Sequence, residues 1–340
     1  MEYGAIDRHL RYSLIRLVDG TGEVVQQRRV PTTREALVSV FGGRAPMRVL
    51  VESGTESEWV AQTVEGCGHT VVVADPNYGL MYGHRPRGVK TDARDVAALS
   101  EACRLGVYRR AHRVSAAQRQ RRRERRVREQ LVRIRTQLIN LRRAQLRQEG
   151  YRLPAGSAEA AVPRVARVVL PAPLQAALRP LVATREALAP LLATATTALE
   201  TAARADTVVQ RLMTAPGVGP ITALTYRAVL DDVGRFADAR GVSAFLGLVP
   251  REASSGTRHR KGAITKAGPG TLRVLLIQAG WVIWRGRGGS AALHAWVHRL
   301  AERRGKRIAI VALARRLGRI LYAMWRDATN YRVAAVRPAD

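Results

Sequence analysis

Residues 47–75 read MRVLVESGTESEWVAQTVEGCGHTVVVAD, and this stretch decides the fold class. Met47–Glu52 is a short apolar run of the kind that forms a buried strand. Glu56–Gly66 carries apolar residues at helical spacing, and Thr70–Ala74 is a second apolar strand. Strand, helix, strand in under thirty residues is the unit of an α/β sheet with parallel neighbours. Upstream, Tyr3–Asp19 alternates into a β pattern, and Gly20-Thr-Gly22 offers a turn into a second strand ending near Val30, which predicts a hairpin. A helix is expected after the Thr32/Thr33 caps, and a further one from about Thr91 to Leu105. The first third is therefore predicted to be one α/β domain with a mixed sheet, ending near Ala111.

The rest of the chain is different in character. In 340 residues, Lys and Arg number 57 against 27 Asp and Glu, a formal charge of +30. Such an excess points to a polyanionic partner rather than a small neutral substrate. Lys90, Lys261, Lys266 and Lys306 are the only lysines. Arginine forks phosphates and stacks on bases, which suits nucleic acid. With 46% hydrophobic residues the chain can bury real cores and is not a disordered tail. Cys67 and Cys103 make neither a disulfide framework nor a metal cluster, consistent with a reducing compartment. Met1–Leu10 has no apolar signal core, and the longest apolar run, Val274–Trp284, is too short to span a bilayer. A soluble, cytoplasmic protein with no membrane partner is expected.

Gln118–Arg147 is dense in arginine, with Val127, Leu131, Ile134, Leu138 and Leu141 spaced as a short heptad seam. Leu174, Leu178, Leu181, Leu188, Leu192, Ala195, Leu199 and Ala202 continue that spacing in a second stretch, where Pro180 and Pro190 are expected to kink or break the helix. The Pro- and Ala-rich segment Gly150–Pro173 reads as the connection. This predicts a long antiparallel coiled-coil arm, serving self-association or lying along nucleic acid; an ordinary solvated helix pair has the same pattern. The last third reads helical throughout, broken by loops at Pro216–Pro220, Pro250–Gly270 and Gly286–Gly289. The expected domains are 1–112, 113–205 and 206–340, giving α/β plus all-α.

Four acids of the first domain fall where strand ends or a helix face would gather them. Asp7 lies in the first strand and Glu52 ends the strand Met47–Val51. Asp92 and Asp95 are three apart on one helix face. Two carboxylates about 4 Å apart repel by about 4 kcal/mol at an effective dielectric of about 20, so such a cluster needs a cation or a proton. Mg²⁺ (or Mn²⁺) is the natural hard, oxygen-ligated ion, and two such ions would clamp a phosphodiester. The plainer reading makes Asp92 and Asp95 first-turn acids at a helix N-terminus and Glu52 a strand-end acid. Asp75 is a further strand-end carboxylate. His9, His69, His84, His112 and His259 show no ligand spacing.

Two loop motifs mark the last third. Thr214-Ala-Pro-Gly217-Val-Gly219-Pro-Ile221 looks like the turn of a helix-hairpin-helix unit, whose backbone N–H groups receive a phosphate; a helix–helix turn needing glycine only for positive φ has the same residues. Gly247–Ser255-Gly256 then leads into Thr257-Arg258-His-Arg260-Lys261 and on to Lys266, an electropositive loop suited to a backbone phosphate. One of Ser254 and Ser255 is either a nucleophile toward that phosphate or only a hydrogen-bond donor.

Together these stretches resemble the DEDD transposases of the insertion-sequence family numbered one hundred and ten, a group that includes the pilin-gene DNA invertase. The strand Asp, strand-end Glu and Lys-x-Asp-Ala-x-Asp pattern matches Asp7, Glu52, Asp92 and Asp95. The C-terminal pattern matches Pro216–Pro220, Gly247–Pro250, Ser255-Gly256, Gly262–Gly268 and Leu272-Arg273. Arg8 and Leu10 depart from the usual residues around the first Asp. The resemblance implies a RuvC-like, ribonuclease-H-type domain holding Mg²⁺ on the four acids, a coiled-coil arm, and a transposase domain in which Ser255 is the nucleophile, with Ser254 as alternative. It implies recombination of donor and target DNA guided by a structured noncoding RNA, by a homo-oligomer that is a dimer, or a tetramer on DNA. Gly217, Gly219, Arg258, Arg260, Lys261, Lys266 and Arg273 are the expected nucleic-acid contacts. Two other readings stand beside it: a RuvC-like metal-dependent nuclease or transposase with no serine bond, and a non-enzymatic arginine-rich binding protein.

Overall fold

The computed structural model describes residues 1–83, 91–152, 170–255, 258–286 and 291–332, of which 253–255 and 258–261 are described by backbone alone. The chain divides into two compact units, Met1–Val114 and Ser115–Asp340.

The first unit is a five-stranded mixed sheet with helices on both faces. In chain order it contains β1 (Tyr3–Arg8), β2 (Tyr12–Val18), β3 (Val24–Pro31), α1 (Arg34–Phe41), β4 (Arg48–Glu52), α2 (Ser57–Gly66), β5 (Thr70–Ala74), a 3-10 turn at Gly79–Tyr82 and α3 (Asp92–Leu105). The strand order is β3-β2-β1-β4-β5. β1 and β2, and β2 and β3, run antiparallel; β1 and β4, and β4 and β5, run parallel. The inner strands are apolar without alternation because both faces are covered. Ile6, Val49, Val51, Val71 and Val73 pack with Leu37, Phe41, Val60 and Val64 of α1 and α2. Ala5, Leu50 and Val72 face Val96, Leu99 and Cys103 of α3. Thr33 caps α1 through the Ala36 N–H, and Thr91 caps α3 through the Arg94 N–H.

The expected single strand Tyr3–Asp19 is in fact two. The chain reverses at residues 9–11, where the His9 N–H donates to the Tyr12 carbonyl at 2.9 Å. No Gly, Pro or Asn marks this reversal, so local turn chemistry could not reveal it.

The second unit opens with α4 (Ala116–Gln148) and α5 (Ala172–Ala205). Leu146 near the end of α4 packs on Leu178 near the start of α5, while Arg128 Nε donates to Thr196 Oγ1 at 2.9 Å toward the other ends, so the pair is antiparallel. Pro180 and Pro190 do not break α5. Both lie on its exposed side, where a carbonyl left unpaired by proline is hydrated. The α4 seam also differs from expectation: Val127 and Leu141 are exposed, and Ile139 and Leu146 are buried. In α5, Leu178, Leu188, Leu192 and Leu199 are buried on the expected face. The Gly150–Pro173 connection lies largely outside the described residues.

There follow α6 (Thr207–Met213), α7 (Pro220–Leu230), α8 (Ala239–Phe245), β6 (Pro250–Ser255), β7 (Arg258–Ile264), α9 (Gly270–Trp284), α10 (Ala291–Arg304) and α11 (Lys306–Arg326). They enclose a core that includes Leu212, Leu224, Tyr226, Leu246, Leu276, Ile283, Val297, Leu313 and Leu317. The Tyr226 hydroxyl, fully buried, donates to the Gly318 carbonyl at 2.8 Å. The last third is thus not helical throughout: the expected loop over 250–270 holds the antiparallel hairpin β6–β7. Glycine, serine and arginine there give no alternating apolar face, so pairing is set by the neighbours at its base. At the root of the arm, buried Asp231 accepts from the Ser115 N–H at 3.0 Å and the Ser115 hydroxyl at 2.6 Å.

Candidate functional site

Register places the acids of the first unit. Ile6 pairs with Val51 across the parallel β1–β4 ladder, so Asp7 and Glu52 come next on neighbouring strands and point to the same side. That side is the α3 side, opposite Ile6 and Val51. α3 begins at Asp92, and Asp95 lies one turn on and is buried. The Asp7 carboxyl is raised above its ordinary value by burial first, with Asp92 and Asp95 adding to the rise and His9 opposing it. The Tyr82 hydroxyl donates to Glu52.

The residue that sequence reasoning set aside is His9. The reversal at 9–11 brings its Nε2 to 3.3 Å from Asp7 Oδ2 and 3.4 Å from Asp92 Oδ2. This buried nitrogen meets neither carboxylate with hydrogen-bond geometry. Asp7, His9 and Asp92 bring ligand atoms within 4.8 Å of one another. Two carboxylates and one imidazole, whose nitrogen lacks a hydrogen-bond partner, are a donor set that fits a divalent cation. Tyr12 was likewise missed: its hydroxyl donates to Asp92 Oδ2 at 2.6 Å, and Arg29 sits over its ring at 3.7 Å. A histidine two residues after a strand aspartate was the available signal, legible only once the chain is known to turn there.

Asp75 stays apart from this group as a turn residue, bonded to the Asn77 N–H at 2.9 Å and to Arg109 at 2.7 Å. His69 is an internal core group whose Nε2 meets the Phe41 carbonyl at 2.8 Å. Lys90 and His84 lie outside the described residues.

In the second unit, Gly217 has φ +70°, and a Cβ there would come within 2.8 Å of the Ala279 carbonyl oxygen, so close packing on α9 already requires glycine. Gly219 is the extended N-cap of α7, with open space where a side chain would be, followed by Pro220 at the first helical turn. Gly247 (φ +64°) and Gly268 (φ +70°) lie where the chain after α8 meets the chain after β7. A Cβ at Gly247 would be 2.2 Å from the Ala267 oxygen, and one at Gly268 would be 2.1 Å from the Phe245 oxygen. Lys266 takes a left-handed conformation, φ +57°, and its N–H donates to the Gly247 carbonyl at 3.1 Å. Arg273 Nη1 donates to the Leu246 and Ala267 carbonyls at 2.9 and 3.0 Å, so this expected phosphate ligand staples the base of the hairpin. Along the β6–β7 backbone, Ser254 lies opposite His259 and Ser255 opposite Arg258. The side chains of Ser254, Ser255, Arg258, Arg260 and Lys261 lie outside the described residues.

A mixed sheet that gathers carboxylates at one end, in a chain otherwise built of arginine-rich helices, defines a protein that works on nucleic acid. Comparison with known proteins narrows the class. The model of DEDD transposases of the IS110 type, described as "Transposase", matches residues 5–150, and that of the "Transposase IS116/IS110/IS902 family" matches 209–295. The "Probable family 20 transposase" of Pseudomonas aeruginosa is 32% identical over 322 residues, covering 93% of this chain and 94% of its own. The "Transposase for insertion sequence element IS1111A" of Coxiella burnetii is 30% identical over 334 residues, covering 94% and 88%. The chain belongs to the IS116/IS110/IS902 family and is a DNA transposase. The family implies use of a divalent metal and DNA as substrate. No helix among the described residues is long and apolar enough to cross a membrane.

Proposed function

We propose that this transposase mobilises an insertion sequence by cutting and rejoining DNA through a phosphoserine, in a RuvC-like catalytic unit whose Asp7, Glu52, Asp92 and Asp95 hold Mg²⁺ or Mn²⁺. The observation that carries the reading is the convergence of Asp7, Asp92 and His9, with Glu52 beside Asp7 in register and Asp95 close enough to raise the Asp7 carboxyl. Bound there, the ion would supply positive charge to a scissile phosphate. The chain's own part is to present oxygens that repel one another in its absence, to keep Asp92 aimed through Tyr12 and Glu52 through Tyr82, and to keep Asp7 buried.

Ser255, at the turn-side end of β6, is the nucleophile of this reading, with Ser254 beside it as the alternative. Its Oγ–P bond forms as the DNA P–O bond breaks, and the departing oxygen takes a proton. Attack by a second strand's hydroxyl on the phosphoserine reverses the exchange and returns the serine proton. Bond energy is conserved throughout, so no nucleotide cofactor is required. Arg258, Arg260, Lys261, Lys266 and the open Gly219 end of α7 would contact nucleic acid. The α4–α5 pair would serve assembly into a dimer, or a tetramer on DNA. The excess of arginine also suits a structured noncoding guide RNA that pairs with donor and target DNA.

The test is covalent capture. Full-length protein, element RNA and a nicked element-end DNA should yield a protein–DNA adduct resistant to boiling in detergent. Ser255→Ala should abolish it, Ser254→Ala should retain it, and Asp7→Ala or Asp92→Ala should abolish it. An active Ser255→Ala enzyme whose adduct is lost with Ser254→Ala would move the nucleophile to Ser254, and an enzyme active with both serines replaced would overturn the serine route and leave water or a DNA 3′-hydroxyl as nucleophile at the same acids.

A further inference from the structure

A second group of metal-ligating side chains lies in the other unit. His294 and His298 are four apart on α10 and so share one helix face. Their Nε2 atoms are 3.1 Å from each other. His294 Nε2 is also 3.3 Å from the backbone carbonyl oxygen of Trp284, the last residue of α9. A carbonyl only accepts, so His294 Nε2 carries the hydrogen, and the Nε2 lone pair of His298 faces it. The Trp284 indole stacks on the His298 ring at 3.9 Å and 21°, which holds that ring in place.

The His298 nitrogen and the Trp284 oxygen, from two helices, therefore both turn electron pairs toward the hydrogen on His294 Nε2. A Zn²⁺ ion about 2.0–2.1 Å from each of two imidazole nitrogens sets them about 2.9 Å apart at a right angle and about 3.3 Å apart at the tetrahedral angle. The observed 3.1 Å falls inside that interval, so a metal can take the place of the hydrogen once that proton moves to His294 Nδ1, with the rings tilting toward the ion. The Trp284 oxygen is one of the last carbonyls of α9, without a helical partner among the described residues, at the negative end of the helix dipole, where a cation is favoured. Glu302 follows His298 by four residues on the same face and is exposed. The adverse feature is Lys306, whose Nζ is 5.0 Å from the Trp284 ring. Two imidazoles and a carbonyl select a borderline d-block ion over the hard Mg²⁺ of the acidic site.

We propose that His294, His298 and the Trp284 carbonyl form a site for a borderline divalent cation of the Zn²⁺ class, tying the end of α9 to α10. It does not rest on the transposition chemistry proposed above, and it uses none of those residues. Bound metal would cross-link two helices of the second core and resist their separation.

The experiment uses the full chain carrying Asp7→Asn and Asp92→Asn, which removes the two carboxylates that converge with His9 in the first unit. In that background Zn²⁺ titrated against a chromogenic chelator should still bind at about one ion per chain. Adding His294→Gln and His298→Gln should weaken it at least tenfold and remove the Zn²⁺-induced rise in melting temperature. Absence of Zn²⁺ binding in the background, or binding indifferent to the glutamines, overturns the proposal. Should the glutamine variant fail to fold, imidazole ¹⁵N resonances of the background protein decide it. Zn²⁺ shifts both Nε2 signals if the site exists, and shifts neither if it does not.

Discussion

Replacing Gly247 by alanine tests whether the glycine motif around the hairpin is there for the backbone. At φ +64° an L-residue is strained by about 1–2 kcal/mol. The added methyl would fall 2.2 Å from the Ala267 oxygen, 2.6 Å from the Ala267 nitrogen and 2.7 Å from Arg273 Nη1, so two backbone segments must part. Parting them weakens the two bonds from Arg273 Nη1 to the Leu246 and Ala267 carbonyls, each about 1 kcal/mol. The expected loss is about 3–4 kcal/mol. Guanidinium unfolding followed by tryptophan fluorescence suits the measurement, because Trp281, Trp284, Trp296 and Trp325 lie in the second unit and only Trp59 in the first. Gly219→Ala is the control, with open space at its Cβ and φ −90°; it should cost about 1 kcal/mol or less as a poorer N-cap. Gly268→Ala opens the same junction, so the double variant should lose less than the sum of the singles. A Gly247→Ala protein within about 1 kcal/mol of wild type would refute the close-approach account.

Three further outcomes follow from the same geometry. Because burial, Asp92 and Asp95 raise the Asp7 carboxyl, the fold binds that proton more tightly than the unfolded chain, and ionising Asp7 costs stability as pH climbs from 3.8 through the raised value. Metal-free Asp7→Asn should therefore melt above wild type at pH 7 and level with it below that window, and Mn²⁺ should reverse the pH 7 order; a lower metal-free melting point for Asp7→Asn contradicts this. Tyr12→Phe removes the 2.6 Å bond that aims Asp92 and should weaken Mn²⁺ binding about tenfold by electron paramagnetic resonance, an unchanged affinity ruling out the positioning role. Asp231→Ala strands the Ser115 N–H and hydroxyl and should cost the second unit about 2–3 kcal/mol. Asp231→Gly should cost less, since glycine accepts φ +65° without strain, and equal losses in the two would dismiss the backbone part of that argument.

The elements whose signal is local were legible in the residues. β4, α2, β5 and α3 stand within a residue or two of their expected bounds, because an unbroken apolar run, a 3.6-residue period and a threonine cap each need only a short window. The buried side of α5 was legible for the same reason. The carboxylates were assigned to strand end and helix start from pattern, and the order of the two motifs carried the family. What depends on residues distant in sequence was not legible. The 9–11 reversal is held by β1–β2–β3 pairing and by Thr32 donating to the His9 carbonyl, so the place of His9 between Asp7 and Asp92 exists only after the sheet forms. The exposed side of α4 follows from the partner helix, since arginine stems tolerate several faces. Pro180 and Pro190 survive in α5 because they fall on its outer side. Arg273 is expected from sequence as a nucleic-acid contact, and only the structure shows that its Nη1 also bridges the Leu246 and Ala267 carbonyls. Periodicity belongs to a segment and can be read from it, whereas the convergence of ligand atoms depends on strand register and helix docking, which only the assembled core fixes.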